Sequence, residues 1–352
     1  MVSHGFLLQG AATRPLRAIS YFAGHLGGTG VALFFAISGY LITTLLLEER
    51  DREGRISLLG FYVRRGFRIL PPAYFFLAML AILGSAGWLA EALRPGELAS
   101  AAFFYSNYWG GRSWYTAHFW SLSMEEHFYL LWPALLAVLG NRRALLAAGI
   151  LVAATLLWRP WSLVHMNPLP YPALQRTDMR LDAFLFASAL AVLLQESERN
   201  LLLRILTANW FRLLSLATLI AVWTWTLTGS APAAKTLVES ALLPCLLVSV
   251  MHCPGSRLFR ILESAPLRWT GRISYGLYLW QQIFLVGRSA STLPTAAAAF
   301  LPSVALTFGA ATMSYYLLER PLLTYGRTLS NRVGMVLREA RPELEPSSIM
   351  EQ

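Results

Sequence analysis

Long apolar stretches, separated by shorter polar connections, dominate this 352-residue chain. Apolar residues are continuous in these stretches and do not alternate with polar ones. Each stretch is long enough to cross or nearly cross a bilayer as a helix. Nine such runs occur, at 29–47, 72–90, 119–139, 144–158, 181–194, 210–229, 236–251, 273–287 and 296–318. The pattern predicts an all-α, polytopic transmembrane helix bundle with nine complete spans.

Positive charge is concentrated on one side of the predicted bundle. The chain is 56% hydrophobic and only 14% charged, yet its net charge is +10, which alone would suggest a nucleic-acid partner. If the connection at 48–71 is cytoplasmic, alternation places 20 of the 29 Lys and Arg residues on that side. Cytoplasmic connections of membrane proteins carry this excess. The charge therefore indicates topology, and we expect a multi-pass membrane protein with no nucleic-acid partner.

The N-terminal region fits this topology poorly. The apolar segment Phe6–Ala12 is too short to span a bilayer, and Arg14-Pro-Leu-Arg17 has the composition of a loop. With nine spans and a cytoplasmic C-terminal tail, residue 1 would start outside, although no visible signal would export Arg14 and Arg17. The sequence therefore predicts a truncated first helix, and we expect the natural protein to begin upstream of Met1.

Three ionisable residues, Glu125, Glu126 and His127, stand at the start of the apolar run Phe128–Leu139. Ionisable side chains at membrane depth are costly, and they usually face a bundle interior or a wet cavity with a function. Adjacent residues of a helix point about 100° apart, so at most one of the two carboxylates faces a given cavity. The alternative interpretation makes one Glu an interfacial cap and the other a structural hydrogen-bond anchor.

The connection at 48–71 carries the densest charge. Arg64, Arg65 and Arg68 lie at its end, and the first and last of them share one face of a helix. Three Arg residues at a membrane boundary are typical of a topology anchor or a lipid-headgroup contact. Arg also binds phosphate bidentately, so a phosphate site is the alternative. The acidic residues of this connection indicate a solvated surface: Glu48, Glu49, Asp51 and Glu53.

Other polar or small positions have two interpretations each. Arg180 and Asp182, beside the run 181–194, are typical of a helix cap with its counterion. The aromatic connection at 91–118 fits an interfacial belt or a sugar-binding surface. Cys245 and Cys253 show neither a disulfide framework nor a metal-ligand spacing, so we expect no metal. Small residues of the first run allow either close helix packing or close approach of a ligand: Gly28, Gly30, Ser38 and Gly39.

Six stretches, taken together and in this order, resemble one known family: Gly28–Ile42, Phe61–Tyr74, His118–Pro133, Arg180–Leu185, Gly271–Trp280 and Ser314–Pro321. This family is the integral-membrane acyltransferase family 3. The resemblance implies transfer of an acyl group, commonly acetyl, from acyl-CoA to a hydroxyl of a cell-envelope or exported saccharide. It also implies the cell inner (plasma) membrane as location, acyl-CoA as co-substrate with no bound cofactor, and a saccharide or glycolipid acceptor as partner.

The resemblance also implies roles for individual residues. The first-helix histidine of the family, its proposed catalytic base, falls on His4, although the Arg that the family places about eleven residues earlier has no counterpart. The family's Ser-x-Glu falls on Ser123 and Glu125, which favours Glu125 over Glu126 as the second catalytic residue. The remaining matches imply acyl-CoA binding by three residues, Arg64, Arg65 and Arg68, and acceptor binding or structural support by four, His118, Ser123, Arg180 and Asp182.

The resemblance covers a membrane acyltransferase domain at 1–324. The cytoplasmic tail at 325–352 is polar and charged, which predicts disorder. We expect no room for the additional extracytoplasmic esterase-like domain that some relatives carry. Two alternatives remain: a transporter or flippase for a lipid-linked sugar, which the lack of a convincing internal repeat disfavours, and an inactive scaffold of a polysaccharide-modification locus.

Overall fold

The computed structural model describes residues 14–165, 173–195, 199–226, 232–285 and 293–339. Within these ranges every regular element is helical and no strand occurs. A π-helical turn, Tyr315–Glu319, joins the last two α-helices. The α-helices are, in chain order, α1 (Arg14–Glu53), α2 (Leu58–Ser85), α3 (Glu97–Ala102), α4 (Phe119–His165), α5 (Thr177–Arg180), α6 (Asp182–Gln195), α7 (Arg199–Thr207), α8 (Asn209–Thr226), α9 (Pro232–Met251), α10 (Arg257–Leu262), α11 (Ala265–Arg272), α12 (Ser274–Phe284), α13 (Leu293–Ser314) and α14 (Arg320–Glu339).

The predicted all-α membrane fold is confirmed, because the described residues of the nine apolar runs lie mainly in helices. The runs 119–139 and 144–158 share α4, which breaks between them at Gly140 (φ 71°, ψ 175°), in a conformation that glycine adopts readily. Among the described residues, 5 helices are long and apolar enough to cross a membrane, or 6 if the bent pair α7 and α8 forms one span. The count of nine complete spans therefore stays a prediction.

The first helix begins earlier than the sequence indicated. The loop predicted at Arg14–Arg17 is wrong, since α1 starts at Arg14 and continues for 40 residues. Pro15 lies in the first turn, where the missing N–H has no helical partner to lose. His4 and Phe6–Ala12 lie outside the described residues. The truncated first helix and a natural start upstream of Met1 therefore stay predictions.

The basic connection is mostly helical. The connection predicted at 48–71 is not a loop over most of its length, because α1 reaches Glu53 and α2 begins at Leu58. Ser57 caps α2 by accepting a hydrogen bond from the Gly60 N–H at 3.3 Å. The three arginines 64, 65 and 68 therefore project from the first turns of a helix, and two prolines, Pro71 and Pro72, lie inside it.

Glu49 belongs to the interior of the α1–α2 turn. The prediction that it is part of a solvated surface is wrong, because only 7% of the residue is exposed. Its carboxylate pairs with Arg64 at 2.8 Å and accepts a hydrogen bond from the Ser57 N–H at 3.0 Å. Arg64 also donates to Ser330 Oγ at 2.8 Å. This ion pair ties α1 to α2 and connects both to α14.

The last described helix packs on the bundle. The sequence predicted a disordered tail from residue 325, but α14 is helical through Glu339 and lies along α2. The rings of Phe67 and Tyr325 are 5.4 Å apart, and a Cβ added at Gly326 would lie 2.7 Å from Phe67 Cβ. The polar composition of this segment did not indicate a helix, because the apolar residues occupy only one face of it.

Close packing of α1 against α6 depends on one glycine. A Cβ added at Gly39 would lie 2.4 Å from the carbonyl oxygen of Phe184. The packing interpretation of the small residues in the first run is therefore correct for Gly39. At Gly30 an added Cβ would meet none of the described atoms within 4 Å, so no described neighbour requires glycine there.

We predict that Gly39→Ala destabilises the protein, because the added methyl group must push α6 away from α1. Overpacking of this kind costs about 1–3 kcal/mol. Thermal unfolding of the purified protein in detergent measures the effect. Gly30→Ala, in the same helix, is the matched control and should unfold near the wild-type temperature. Equal stability of the two variants would show that α1 and α6 are not in this close contact.

Candidate active site

Four side chains from three helices form a mostly buried polar group, which we call the central cluster: Ser38, Arg65, Glu125 and Tyr129. Glu125, 5% exposed, lies in the second turn of α4. It accepts a hydrogen bond from Ser38 Oγ of α1 at 2.7 Å and another from the Tyr129 hydroxyl one turn further along α4. The Ser38 and Tyr129 oxygens are 3.2 Å apart. The carboxylate is thus held by two hydroxyl groups.

Arg65 brings α2 into the central cluster. Its guanidinium carbon lies 4.6 Å from the centroid of the Tyr129 ring, which is a cation–π distance. The guanidinium also interacts electrostatically with the carboxylates of Glu125 and Glu126. A cation therefore stands beside the buried carboxylate on the side from which α2 approaches.

The three arginines predicted to bind acyl-CoA have different environments. Arg64 is engaged by Glu49 and Ser330, so its contacts are structural. Arg68 is exposed, and it interacts electrostatically with Glu125 and with Glu319 of the π-helical turn. Arg65 and Arg68, three residues apart, are therefore the two that face the carboxylates and remain available to a ligand.

Two further carboxylates interact electrostatically with these arginines, Glu126 with Arg65 and Glu319 with Arg68. Glu319 is buried, and its Oε1 accepts a hydrogen bond from Ser314 Oγ at 3.1 Å. Glu126 has a buried Oε1 that no residue in the described ranges hydrogen-bonds. No role for Glu319 follows from the sequence, since its interaction with Arg68 of α2 depends on packing of chain segments about 250 residues apart.

The predicted support residues His118 and Ser123 lie at the N-terminal end of α4. The His118 ring is buried against three aromatic rings, with centroids 5.4 Å from Phe76, 4.9 Å from Phe119 and 5.3 Å from Tyr278. Ser123 Oγ donates to the Phe119 carbonyl at 2.9 Å and accepts from the Ser106 N–H at 3.2 Å. The hydrogen bond from Ser106 attaches the connection at 91–118 to α4.

Asp182 does not pair with Arg180 as the sequence indicated. Its partner is Arg159 of α4, with 2.5 Å between Nη2 and Oδ1, and both side chains are at most 2% exposed. Arg159 Nε also donates to the Met179 carbonyl at 2.7 Å. The guanidinium of Arg180 instead lies 5.8 Å from the ring centroids of both Phe35 and Trp120.

A second buried ion pair was not predicted from the sequence, because its carboxylate lies within the apolar run 236–251. Glu239 of α9, 1% exposed, pairs with Lys235 at 3.2 Å. It also accepts hydrogen bonds from Thr29 Oγ1 at 2.5 Å and from Trp223 Nε1 at 3.1 Å. The i, i+4 spacing of Lys235 and Glu239 was the available sequence signal.

Asp178 joins α5 to the C-terminal half of α4 and to the connection at 91–118. Arg176 donates two hydrogen bonds to its carboxylate at 3.0 Å, Trp158 donates one at 2.7 Å and Tyr108 donates one at 3.1 Å. Burial alone would raise the pKa of the Asp178 carboxyl, but the bonds from Arg176 and Trp158 outweigh it and hold the pKa below its ordinary value. Burial and the Asp178 charge raise the pKa of Tyr108.

His127 was grouped with the two glutamates in the sequence but has separate contacts. Its Nδ1 lies 2.7 Å from Thr177 Oγ1, which also accepts a hydrogen bond from Asn107 Nδ2 at 2.8 Å. His127 therefore joins α4 to α5 and to the connection at 91–118, and it does not belong to the central cluster. In the described part of the chain, no group of three or more His, Cys, Asp or Glu side chains could hold a metal ion.

Comparison with known families identifies the class of protein. A family model described as an acyltransferase domain matches residues 3–319. The chain therefore belongs to this membrane acyltransferase family, family 3, as its motifs indicated, and it is an enzyme that transfers acyl groups. The match includes every residue of the central cluster.

Individual relatives narrow the comparison. The peptidoglycan O-acetyltransferase OatA of Listeria monocytogenes is 30% identical over 349 residues, which are 89% of this chain and 55% of that protein. YrhL of Bacillus subtilis, provisionally named a peptidoglycan O-acetyltransferase, is 31% identical over 343 residues, 87% of this chain and 52% of that protein. The chain spans about half the length of these relatives. No solved structure gives a significant match.

We predict that Glu125→Gln lowers the acyl-transfer rate by about 10²-fold or more, because an amide cannot replace the charge of the hydrogen-bonded carboxylate. The protein should remain folded, since Gln keeps the size of Glu. Transfer rates of purified protein, normalised to the folded fraction from thermal unfolding, measure this.

Glu126→Gln is the matched control, because the next residue on α4 accepts no hydrogen bond from the central cluster. It should keep most of the activity. If Glu126→Gln is the inactive variant and Glu125→Gln the active one, the assignment of the carboxylates is wrong.

Proposed function

We propose that this protein is an O-acetyltransferase that moves an acetyl group from acetyl-CoA to a hydroxyl of a cell-wall saccharide. We place it in the bacterial plasma membrane. The observation that carries the proposal is the central cluster, in which a carboxylate buried between α1 and α4 lies beside the Arg65 cation. The names of the relatives support acetyl as the acyl group and peptidoglycan as the acceptor.

The placement of the arginines supports a cytoplasmic donor. Arg65 and Arg68 lie seven and ten residues into α2, about 10 and 15 Å along its axis from the cytoplasmic end. Glu125 lies six residues into α4, about 9 Å from the outer end. Acetyl-CoA entering from the cytoplasm and a saccharide entering from outside would then meet at the central cluster. Guanidinium groups bind phosphates well, which suits the CoA moiety.

In the proposed step, the oxygen of the acceptor hydroxyl attacks the thioester carbonyl carbon and its proton passes to a base. The carbon–sulfur bond then breaks, and the CoA thiol leaves with a proton. His4 is our proposed base, since neutral imidazole accepts protons near pH 7, and it lies outside the described residues. Glu125 would orient this base or align the acceptor hydroxyl.

The central test is reconstitution of the full chain in lipid vesicles. Labelled acetyl-CoA on the side of the arginines and cell-wall saccharide on the other side should give alkali-labile acetate on the saccharide. Transfer without acetyl-CoA, or thermal stability that acetyl-CoA leaves unchanged, would contradict the donor. Movement of a lipid-linked sugar without acetylation would favour the flippase alternative.

We predict that Arg68→Ala raises the Kd for acetyl-CoA by about tenfold or more, since a charge-assisted hydrogen bond contributes about 1.5–3 kcal/mol. Arg68→Lys should recover only part of this affinity, because an ammonium group cannot make a planar bidentate contact. Binding titrations with acetyl-CoA measure both variants.

Two further arginines serve as comparisons. Arg327→Ala, exposed on α14, should leave the acetyl-CoA affinity unchanged. Arg64→Ala should lower the unfolding temperature instead, because it removes the bonds to Glu49 and Ser330. Unchanged affinity in Arg68→Ala would mean that this arginine only anchors the topology.

A further inference from the structure

Arg180 is a buried cation that finds no hydrogen-bond acceptor in the described part of the chain. It is 8% exposed, and its Nε is buried without a partner. Among the described residues, no carboxylate, carbonyl or hydroxyl accepts a hydrogen bond from its guanidinium. Leaving a buried guanidinium N–H without an acceptor is costly. The arrangement is therefore suited to a ligand that supplies the acceptor.

The charges near Arg180 leave it without an ion pair of its own. It interacts electrostatically with Glu239, Asp182 and Arg159. Glu239, however, is paired with Lys235, and Asp182 with Arg159. One Asp182 oxygen, Oδ2, is also unpartnered, but Arg180 does not bond to it here. Three cations thus share two carboxylates, and the group can accept one more negative charge.

The position of Arg180 relates it to the central cluster. Its guanidinium lies over Phe35 and Trp120, whose rings are 5.9 Å apart. Phe35 is three residues before Ser38 on the same face of α1, which is about 5 Å along the helix. On the topology that the arginines indicate, Arg180 lies outward of Glu125. A saccharide arriving from outside would pass Arg180 before it reached the carboxylate.

We infer that Arg180 binds an oxyanion of the acceptor, a carboxylate or a phosphate, while the acceptor hydroxyl reaches the central cluster. The inference rests on the proposed function and specifies its acceptor as an acidic saccharide. A planar guanidinium binds such oxyanions bidentately. The aromatic rings of Phe35 and Trp120 hold the guanidinium in place and exclude water from it.

The test compares acceptors that differ only in charge. Wild-type protein in vesicles is assayed with a disaccharide muropeptide carrying free carboxylates, with the same muropeptide amidated, and with a phosphorylated disaccharide. We expect the KM to be at least tenfold lower for an acidic acceptor than for the amidated one. Lower KM values for the first or the third acceptor identify the oxyanion as a carboxylate or a phosphate.

Arg180→Gln should remove this preference, with the KM for the acidic acceptor rising to that of the amidated one. The kcat and the KM for acetyl-CoA should stay near wild type, and Arg180→Lys should recover part of the preference. Thermal unfolding checks that each variant is folded, and Arg94→Gln, an exposed outer residue, should change nothing.

Two outcomes separate this inference from the proposed function. If the wild type transfers acetyl equally well to charged and amidated acceptors, or if Arg180→Gln keeps the preference, the role of Arg180 is refuted while the transferase activity stands. If the wild type acetylates none of the three acceptors, the proposed function itself fails.

Discussion

A carboxylate inside a helix bundle needs hydrogen-bond donors and a nearby cation, because an uncompensated buried charge is severely destabilising. Glu125 meets this requirement with Ser38, Tyr129 and Arg65. These partners come from α1, α4 and α2, so the three helices must meet at this point. The same contacts leave one carboxylate and one guanidinium side by side in the interior, which is where acyl-transfer chemistry needs fixed charges.

Other buried charges connect the helices around this point. Arg64 and Glu49 join α2 to α1, and Arg159 and Asp182 join α4 to α6. Such pairs contribute little net stability compared with apolar side chains, but breaking one leaves a buried charge unpaired. We therefore interpret them as contacts that select one arrangement of the helices. Arg180, which lacks such a partner among the described residues, differs from them for that reason.

The helices could be predicted from the sequence, because they depend on local patterns. Apolar runs of sufficient length indicated the predicted helices. Ser123 and Glu125 match the Ser-x-Glu motif of the family. The choice of Glu125 as the key carboxylate came from that motif and stays a prediction. The partners of the charges could not be predicted in this way. Asp182 pairs with a residue 23 positions away, and Arg64 contacts one 266 positions away, so neither contact is visible in a local window.

The ends of the helices were also harder to predict than their existence. Composition indicated a loop at Arg14–Arg17 and a disordered tail after 324, yet α1 begins at Arg14 and α14 extends to Glu339. The Arg14–Arg17 segment continues into the apolar part of α1, and α14, which is polar on one face, packs along α2. Tertiary packing overrides local composition at such positions.

The most direct measurement for the central claim is a double-mutant cycle on acyl-transfer rates with Ser38→Ala and Glu125→Gln. Ser38 and Glu125 form one hydrogen-bonded unit, so the effects of their substitutions on the rate should not add. The double variant should transfer at the same residual rate as Glu125→Gln alone. If Ser38→Ala lowers the rate by the same factor with and without Glu125, the two residues act independently and the central cluster is not the catalytic unit.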